Sequence, residues 1–318
     1  MARFTTLVTA AQWTPEAERI VQAAGGEIAY LAGAITEERL VEHLATTRAE
    51  ALVLRGSPPV TARVLAAAPA LRIVAKNGAG VDSVDLAEAG RRGIAVAVAA
   101  GANAYAVAEH ALAMMLALVR GLPQMDRTLR TGGWADAAYR GRDFRGCTVG
   151  IVGYGAIGRH TAQLAAALGA QVCVLRRSGA ADGFAVEPDL LRLAARVDVL
   201  SLHCPLTEAT RGLVAARELA ALRPGSILVN TARGAVVDEA ALVAALQCGH
   251  LAGAGLDTFA TEPLPADSPL RRMDQVILTP HVAGVTRDAA ARVATLTATN
   301  IVDHLAGRTL PPGHRLDA

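Results

Sequence analysis

The sequence predicts an α/β fold in which parallel sheets are covered by helices on both faces. Short apolar runs alternate with helix-length amphipathic runs along nearly the whole chain, as such folds require. The chain has 318 residues, more than one hydrophobic core usually serves, and 52% of them are hydrophobic with a net charge of only +2. We therefore expect two globular domains and exclude a disordered chain.

Basic and acidic side chains are nearly balanced, 31 against 29, and Lys76 is the only lysine in the sequence. No block of like charge is present to bind nucleic acid or an anionic membrane, so we expect neither partner. The apolar stretch Ala104 to Val119 is shorter than the ~20 residues of a membrane span and contains Glu109 and His110, which favours a buried helix.

The four cysteines lie far apart with no CxxC pair, and the N-terminus shows no basic segment followed by an apolar stretch. These features favour a cytoplasmic protein with reduced thiols. His203-Cys204 and Cys248-Gly249-His250 lack a second pair of ligands at a spacing typical of zinc, so no metal site is expected.

Two series of strands can be separated, and the first occupies the N-terminal third of the chain. Its first helix begins at Pro15, where proline is tolerated because its missing N–H would have no partner. The predicted strands of this series are Phe4 to Val8, Ala51 to Leu54, Leu71 to Ala75 and Ile94 to Val96.

The second series has enough strands for a full doubly wound sheet. A long Ala-rich helix, Asn103 to Arg120, connects the two series, and a helix from Arg287 to Leu305 follows the last strand. The predicted strands of the second series are Thr148 to Val152, Gln171 to Leu175, Val197 to Leu202, Ser226 to Val229, Gly253 to Leu256 and Val276 to Leu278.

The first strand of the second series leads into a glycine-rich turn that opens a helix. The turn consists of Gly153, Tyr154, Gly155, Ala156, Ile157 and Gly158. Gly153 permits a tight turn, Gly155 lets the backbone approach a pyrophosphate, and Gly158 allows close packing of helix on strand. Strand, turn and helix follow in the required order, which predicts a dinucleotide site with its pyrophosphate at the helix N-terminus.

The end of the next strand indicates which dinucleotide is bound. An acidic residue there would hydrogen-bond the ribose 2′-hydroxyl of NAD, but this chain has Arg176, Arg177 and Ser178. Two guanidinium groups and a hydroxyl suit a 2′-phosphate, so NADP is favoured over NAD. The alternative is a pair of solvated surface arginines.

Later strand ends of the second series supply ionisable side chains. Arg233 follows one strand, Asp257 and Glu262 follow the next, and His281 follows the last. Open α/β sheets bind ligands at this edge. A redox step on a carbon–oxygen bond needs a proton donor, a cation for an anionic substrate and a carboxylate to orient the donor. These residues are the candidate catalytic group.

At these residues the sequence resembles the D-isomer-specific 2-hydroxyacid dehydrogenase family, over essentially the whole chain. The resemblance implies a Rossmann nucleotide-binding domain, residues 100–283, inserted into a smaller flavodoxin-like α/β substrate domain, residues 1–99 with 284–318. It also implies a homodimer through Asn103 to Arg120. The matching segments are the glycine turn, Asn77 to Asp82, His203 to Thr207, Asn230 to Glu239, Gly255 to Asp257, Glu262 to Pro265 and Thr279 to His281.

The resemblance also implies roles for single residues. His281 would be the acid/base, Glu262 its carboxylate partner, and Arg233 the cation that binds the substrate carboxylate and polarises the carbonyl. The other carboxylate oxygen would meet backbone N–H groups of the loop made of Asn77, Gly78, Ala79 and Gly80. Asp257 would lie beside the nicotinamide carboxamide, and His203, like His110, is interpreted as structural. The residues that would line the cofactor pocket are His203, Cys204, Pro205, Thr231, Ala232, Arg233, Asp257, His281 and Gly284.

Lys76 directly precedes this loop. A lysine there could bind a second anionic group of the substrate, such as a phosphate, a sulfonate or a distal carboxylate. The alternative is a solvated charge at the end of a strand.

The sequence therefore predicts an NAD(P)-dependent 2-hydroxyacid dehydrogenase or 2-ketoacid reductase, with glyoxylate and hydroxypyruvate as the leading substrates. The enzymatic alternative is a phosphoglycerate dehydrogenase. We expect it less, because many of those enzymes carry a regulatory C-terminal domain and this sequence continues only briefly beyond Leu305. An alternative from another class is a cofactor-sensing scaffold similar to the co-repressors among family relatives. The particular hydroxy acid and the physiological direction are left open.

Overall fold

The computed structural model describes residues 3–56, 58–78, 80–81, 83–137, 139–176, 179 and 181–316. They form two compact units, Met1–Asn103 with Val285–Ala318 and Ala104–Gly284. The strands, in chain order, are β1 (Phe4–Val8), β2 (Gly26–Tyr30), β3 (Ala51–Leu54), β4 (Ile73–Lys76), β5 (Ala95–Val98), β6 (Thr148–Val152), β7 (Gln171–Leu175), β8 (Ala185–Val186), β9 (Val199–Leu202), β10 (Ser226–Asn230), β11 (Leu251–Leu256), β12 (Val276–Leu278) and β13 (Arg315–Leu316).

Thr or Asp side chains cap most of the helix N-termini by accepting a backbone N–H of the first turn, as Thr14, Asp238 and Thr286 do. The helices are α1 (Pro15–Ala23), α2 (Glu37–Thr47), α3 (Ala62–Ala66), α4 (Leu86–Arg91), α5 (Ala104–Val119), α6 (Leu122–Arg130), α7 (Ala156–Ala167), α8 (Leu190–Ala194), α9 (Ala216–Ala221), α10 (Glu239–Gln247) and α11 (Arg287–Leu305).

The first unit is built on a sheet with the strand order β13-β5-β4-β3-β1-β2. Strands β1 to β5 pair in parallel, and β13 pairs antiparallel to β5. The parallel part has the order of flavodoxin-like sheets. Alternate residues point to opposite faces, so Leu52 and Val53 of β3 enter separate apolar clusters.

The second unit has the strand order β12-β11-β10-β9-β6-β7-β8, all parallel. This is the doubly wound Rossmann order extended by one strand, and the order reverses between β6 and β9. Val199 and Leu200 of β9 are fully buried in different clusters, so helices cover both faces. The predicted fold class is confirmed.

Several strand boundaries differ from the predicted ones for a shared reason. Leu71, Ile94 and Val197 are buried, but their N–H groups donate to carbonyls of the preceding helix or turn, at Ala68, Ala89 and Ala194. The sheet ladder therefore begins one or two residues later than the apolar run. Apolar patterning predicts burial, and only the hydrogen bonds decide where pairing starts.

The sequence interpretation missed three strands, β2, β8 and β13. Strand β2 lies at a sheet edge with most of its residues partly exposed, so it has no apolar run. Strands β8 and β13 have two residues each, too few for a periodic pattern.

Within the described residues, no single helix is long and apolar enough to cross a membrane. Helices α5 and α6 reach that length and composition only as a pair, and they are bent by 63° at their junction.

Candidate active site

The C-terminal edge of the second sheet carries the glycine turn at the point where the strand order reverses. Strand β6 ends at Val152, and Gly153 follows with a φ of +93°, a conformation that L side chains rarely adopt. A Cβ on Gly153 would lie 2.8 Å from the backbone N of Cys204, which follows β9. Glycine is required here by both conformation and space.

The other two glycines of the turn have opposite surroundings. A Cβ on Gly158 would lie 2.0 Å from the Gly153 carbonyl oxygen, so helix α7 approaches the turn as closely as a glycine allows. A Cβ on Gly155 would meet nothing within 4 Å. Gly155 is the N-cap of α7 and makes no side-chain cap, so the first N–H groups of that helix face an open space.

Buried polar atoms beside the turn lack partners among the described residues. His203 follows β9, and its Nε2 lies 2.9 Å from Ser201 Oγ, while its Nδ1 and the hydroxyl of Thr231 are unpartnered. Burial lowers the pKa of His203 to about 3, so this ring is neutral. Orphaned polar atoms around an open helix N-terminus fit a bound dinucleotide, whose hydroxyl and phosphate groups would satisfy them.

The ring of Tyr154 is in contact with two arginines. The guanidinium carbons of Arg159 and Arg176 are 5.6 Å and 5.5 Å from the centroid of its ring. Its hydroxyl donates to Asp182 Oδ2 at 2.9 Å, and Arg159 Nε lies 3.0 Å from the same oxygen. Burial and this hydrogen bond raise the pKa of Tyr154. Arg176 at the end of β7 is therefore held at an aromatic face; the predicted Arg177 and Ser178 lie outside the described residues.

Arg233 is positioned by the residue that ends β10. The buried side chain of Asn230 accepts the Ala232 N–H and donates to the Arg233 carbonyl, both at 3.0 Å. The next residue, Gly234, has no room for a Cβ, which would lie 1.9 Å from the carbonyl carbon of Phe259 after β11. The Arg233 turn is thereby packed against the segment that leads to Glu262.

His281 and Glu262 form a direct pair. Nδ1 of His281 lies 2.8 Å from Glu262 Oε2, and the other carboxylate oxygen accepts the Phe259 N–H at 3.1 Å. The His281 side chain is 49% exposed. With a carboxylate at Nδ1, that nitrogen carries its proton, and Nε2 is the ring nitrogen at which a second proton could be exchanged.

Asp257 directly follows β11 and is 1% exposed. Its carboxylate accepts hydrogen bonds from the Thr279 hydroxyl at 2.5 Å, the Val282 N–H at 2.8 Å and the Ala283 N–H at 2.9 Å. Its backbone carbonyl accepts the His281 N–H at 2.8 Å. The buried charge is thus compensated by three donors, and all of them belong to the segment around His281.

Strands β10, β11 and β12 are neighbours in register, with Asn230 beside Leu256 and Leu256 beside Leu278. The structure therefore brings Arg233, Glu262 and His281 to one edge of the sheet, as a cation, a carboxylate and a proton carrier. Such a set can bind an anionic substrate and move a proton at its carbon–oxygen bond.

The sequence model of one protein family matches residues 112–283, more than half of the chain, and is described as D-isomer specific 2-hydroxyacid dehydrogenase, NAD binding domain. The chain belongs to this family. A nicotinamide dinucleotide is accordingly the cofactor of the second unit.

A similar protein is D-3-phosphoglycerate dehydrogenase of Mycobacterium tuberculosis, which is 44% identical over 271 residues, covering 84% of this chain and 51% of that protein. Another is (S)-sulfolactate dehydrogenase of Chromohalobacter salexigens, which is 40% identical over a region that covers 79% of this chain and 83% of that protein. The chain spans about half the length of the phosphoglycerate dehydrogenases. The crystal structure of a glyoxylate reductase from Paecilomyes thermophila aligns with a TM-score of 0.87 at 27% identity, covering 98% of both chains.

The remaining residues predicted for the cofactor pocket of this family member lie in the same unit. Ala156 and Ile157 form the first turn of α7, Cys204 and Pro205 follow β9, and burial raises the pKa of the Cys204 thiol. Ala232 is buried in the Arg233 turn, and Gly284 follows the Asp257-bound Ala283.

The predicted substrate loop belongs to the first unit, after β4. Lys76 Nζ donates to Ser83 Oγ at 2.8 Å and to the Gly56 carbonyl at 3.2 Å, and Asn77 Oδ1 accepts the Trp13 indole N–H at 3.4 Å. The Gly78 N–H already donates to the Lys76 carbonyl at 2.8 Å, so a carboxylate would have to share it. Gly80 is described, and Ala79 lies outside the described residues.

The sequence interpretation assigned no role to Asn230, Thr279 or Asp182. Asn230 ends a buried strand two residues before a backbone N–H that its side chain can accept, which is an available signal for a turn. Asp182 lies seven residues beyond β7, and only the folding back of its loop onto Tyr154 could reveal it. Within the described residues, no group of three or more His, Cys, Asp or Glu could hold a metal ion.

Proposed function

We propose that this protein transfers a hydride between a nicotinamide dinucleotide and a small 2-keto or 2-hydroxy acid. The observation that carries the proposal is the His281–Glu262 pair, 2.8 Å apart, at the sheet edge that also carries Arg233 and the glycine turn. Acid/base, carboxylate and cation are the groups that reduction of a 2-keto acid requires from the protein.

The chain's residues have separate tasks in this reaction. Arg233 binds the substrate carboxylate and polarises the adjacent carbonyl. A dihydronicotinamide cofactor would supply the hydride that reduces C2, with the glycine turn after β6 holding its pyrophosphate. Glu262 stabilises the protonated imidazole of His281 before the proton is transferred. His281 then gives the proton at Nε2 to the carbonyl oxygen. In the oxidising direction His281 takes that proton back.

We favour NADPH over NADH as the reductant. The end of β7 has arginines where NAD-specific folds have an acidic residue, and Arg176 lies at the Tyr154 ring beside the open N-terminus of α7. The carboxylate that does fold into this region, Asp182, is already bonded to Tyr154 and Arg159 through Oδ2. Among the described residues around Tyr154, two cations, Arg159 and Arg176, therefore accompany one anion, Asp182.

Substrates with a second anionic group deserve testing beside glyoxylate and hydroxypyruvate. Phosphoglycerate and sulfolactate, in the names of two relatives, both carry one. Lys76 is the residue proposed to bind it, and its contact with Ser83 would hold the ammonium at the loop.

A homodimer through Asn103 to Arg120 is also proposed. One face of α5 packs inside its own unit, while Tyr105, Glu109 and Ala113, spaced by four residues, form an exposed stripe that a second copy could cover. Sedimentation velocity over a range of concentrations tests this.

A cytoplasmic location likewise stays a prediction from the cysteine spacing.

The deciding experiment is a panel of glyoxylate, hydroxypyruvate, 3-phosphohydroxypyruvate and sulfopyruvate, each assayed with NADPH and with NADH. We expect steady turnover of at least one keto acid, faster with NADPH. Undetectable turnover of every pair, with cofactor binding intact, would refute the enzyme and favour the cofactor-sensing scaffold.

Within the same panel, Lys76→Gln removes the charge but keeps a hydrogen-bond donor for Ser83. We expect it to raise KM for the doubly anionic keto acids at least tenfold more than KM for glyoxylate, because one charge-assisted contact contributes roughly 1.5 kcal/mol or more. Ser83→Ala, which removes only the loop contact, is the matched control. An equal effect of Lys76→Gln on all substrates would make Lys76 a structural residue.

A further inference from the structure

A hydrogen-bond chain leads from helix α5 to the segment that carries His281. His110 Nε2 on α5 lies 3.0 Å from the hydroxyl oxygen of Thr279, and that hydroxyl lies 2.5 Å from Asp257 Oδ1. His110 also lies 3.9 Å from the same carboxylate oxygen. All of these residues belong to the second unit.

The direction of this chain follows from counting protons. The Asp257 carboxylate can only accept, so the single hydroxyl proton of Thr279 is donated to it. The Thr279 oxygen can then only accept from His110, so Nε2 of His110 carries a proton. The chain therefore has one polarity, from His110 Nε2–H through the Thr279 hydroxyl to Asp257, and successive bonds of one polarity strengthen one another.

Asp257 transmits this arrangement to His281. It fixes the N–H groups of Val282 and Ala283 through its carboxylate and that of His281 through its carbonyl. The fixed segment is strained, since His281 has a φ of +55°, which a non-glycine residue adopts only where surrounding contacts hold it. A change in the Asp257 carboxylate therefore acts on the backbone from which the imidazole projects.

We propose that His110 is a positioning residue for His281, acting through Thr279 and Asp257. It touches no reacting group, and its task is to keep the Thr279 hydroxyl directed at Asp257, so that Nε2 of His281 stays where the substrate oxygen arrives. Misplacing a catalytic group by a fraction of an ångström is costly to the chemical step and of little consequence for cofactor binding. The inference rests on the proposed function for its kinetic test, and a second test below is independent of turnover.

The kinetic test uses substitutions that keep shape and change the donor. His110→Phe keeps a ring but removes the N–H, and Thr279→Val keeps the shape but removes the hydroxyl. We expect each to lower kcat on the order of tenfold with KM for NADPH nearly unchanged. His110→Gln and Thr279→Ser restore a donor or a hydroxyl, and we expect both to retain most of the wild-type kcat.

Combining the substitutions separates a chain from two unrelated defects. If His110 acts through Thr279, then His110→Phe/Thr279→Val loses no more than either single variant, because the chain is already broken. His43→Phe is the matched control: His43 also lies on a helix, with Nδ1 2.9 Å from the Arg39 carbonyl of its own helix, and belongs to the other unit. It should leave kcat unchanged.

The independent test is the NMR signal of His281 Cε1–H in protein labelled at the histidine rings, assigned by its absence in His281→Gln. We expect this signal to shift in His110→Phe and in Thr279→Val by a similar amount, and to keep its wild-type position in His110→Gln and His43→Phe. This result is readable even if no keto acid is turned over, in which case the proposed function fails and the positioning role stands. An unmoved His281 signal in His110→Phe, an equal kcat loss in His110→Gln, or additive losses in the double variant would each overturn the inference.

Discussion

The side chains of the site divide into those that would meet reacting groups and those that hold them. His281 is held at three points, by Glu262 at Nδ1, by the Asp257 carbonyl at its N–H and by the Asp257 carboxylate at the two following residues. These contacts leave Nε2 as the position proposed for proton exchange. Arg233 is held through its backbone by Asn230.

Replacing His281 tests the first of these roles. His281→Ala should lower kcat by roughly 10²-fold or more, because it removes the proposed proton donor, while the Kd of NADPH changes little. Steady-state rates and a fluorescence titration with NADPH measure the two effects. His43→Ala is the control, and unchanged turnover in His281→Ala would remove this residue from the mechanism.

Replacing both Arg176 and Arg177 by Gln tests the cofactor preference. A charge-assisted hydrogen bond contributes roughly 1.5–3 kcal/mol, so the Kd of NADPH should rise at least tenfold while that of NADH changes much less. Isothermal titration with both nucleotides measures this. Arg192→Gln on α8 is the control, and equal weakening of both nucleotides would contradict a 2′-phosphate site.

At the scale of elements, the site is made by strand ends and the turns that follow them. The β6 turn, the β9 end and the N-terminus of α7 form the proposed cofactor side, and the ends of β10, β11 and β12 form the proposed catalytic side. Glycines at 153, 158 and 234 permit backbone approaches that any side chain would block. These approaches are determined by packing between elements rather than by single contacts.

The glycines of the β6–α7 turn give a matched pair of variants. Gly155→Ala adds a methyl group to open space, so we expect an unchanged thermal midpoint and a loss of NADPH affinity of about tenfold or more, because that space is the proposed pyrophosphate position. Gly158→Ala places a methyl group against the Gly153 carbonyl, and we expect the midpoint to fall by roughly 5 °C. Scanning fluorimetry and titration distinguish the two, and full affinity in Gly155→Ala would contradict this placement.

At the scale of the whole molecule, each unit is stabilised by apolar clusters on both sheet faces, and charged groups close its periphery. Asp198 at the start of β9 is 11% exposed and bonds the Thr148 N–H at 2.8 Å and Arg142 at 3.0 Å. Burial by itself would raise the pKa of Asp198, but these hydrogen bonds hold it below the ordinary value. Its carboxylate therefore stabilises the fold only while it is ionised.

Stability should depend on pH through this residue. Because the folded pKa is lowered, the stabilisation is present above the ordinary carboxyl pKa of about 3.9 and is lost as the pH falls through the lowered value. Asp198→Asn should lower the thermal midpoint by roughly 3 °C, equivalent to about 1 kcal/mol with partly exposed arginines, between pH 5 and pH 7. The difference should shrink below about pH 4.

The control is the exposed carboxylate Asp267, whose replacement by Asn should leave the midpoint unchanged throughout this range. A difference between wild type and Asp198→Asn that persists undiminished at low pH would show that the effect is steric and not electrostatic.

Local patterns in the sequence were sufficient for the fold class, for helix α11 with both of its ends, and for the glycine turn after β6, because burial periodicity and the steric freedom of glycine are properties of short segments. The family resemblance supplied the roles of Arg233, Glu262 and His281. Strand β8 and the carboxylate of Asp182 could not be predicted, since neither has a local signal and both depend on where a loop returns.

The sequence by itself thus determined the α/β fold class, most of the strands, and the ionisable residues that follow the ends of β10, β11 and β12. Only the tertiary structure decided which side chains touch, as it brings Thr279 between Asp257 and His110, a residue 169 positions away in the chain. The physical reason is that periodicity constrains neighbours along the chain, whereas a hydrogen bond between distant residues depends on the packing of α5 against β10 and β11, the sheet that carries Asp257.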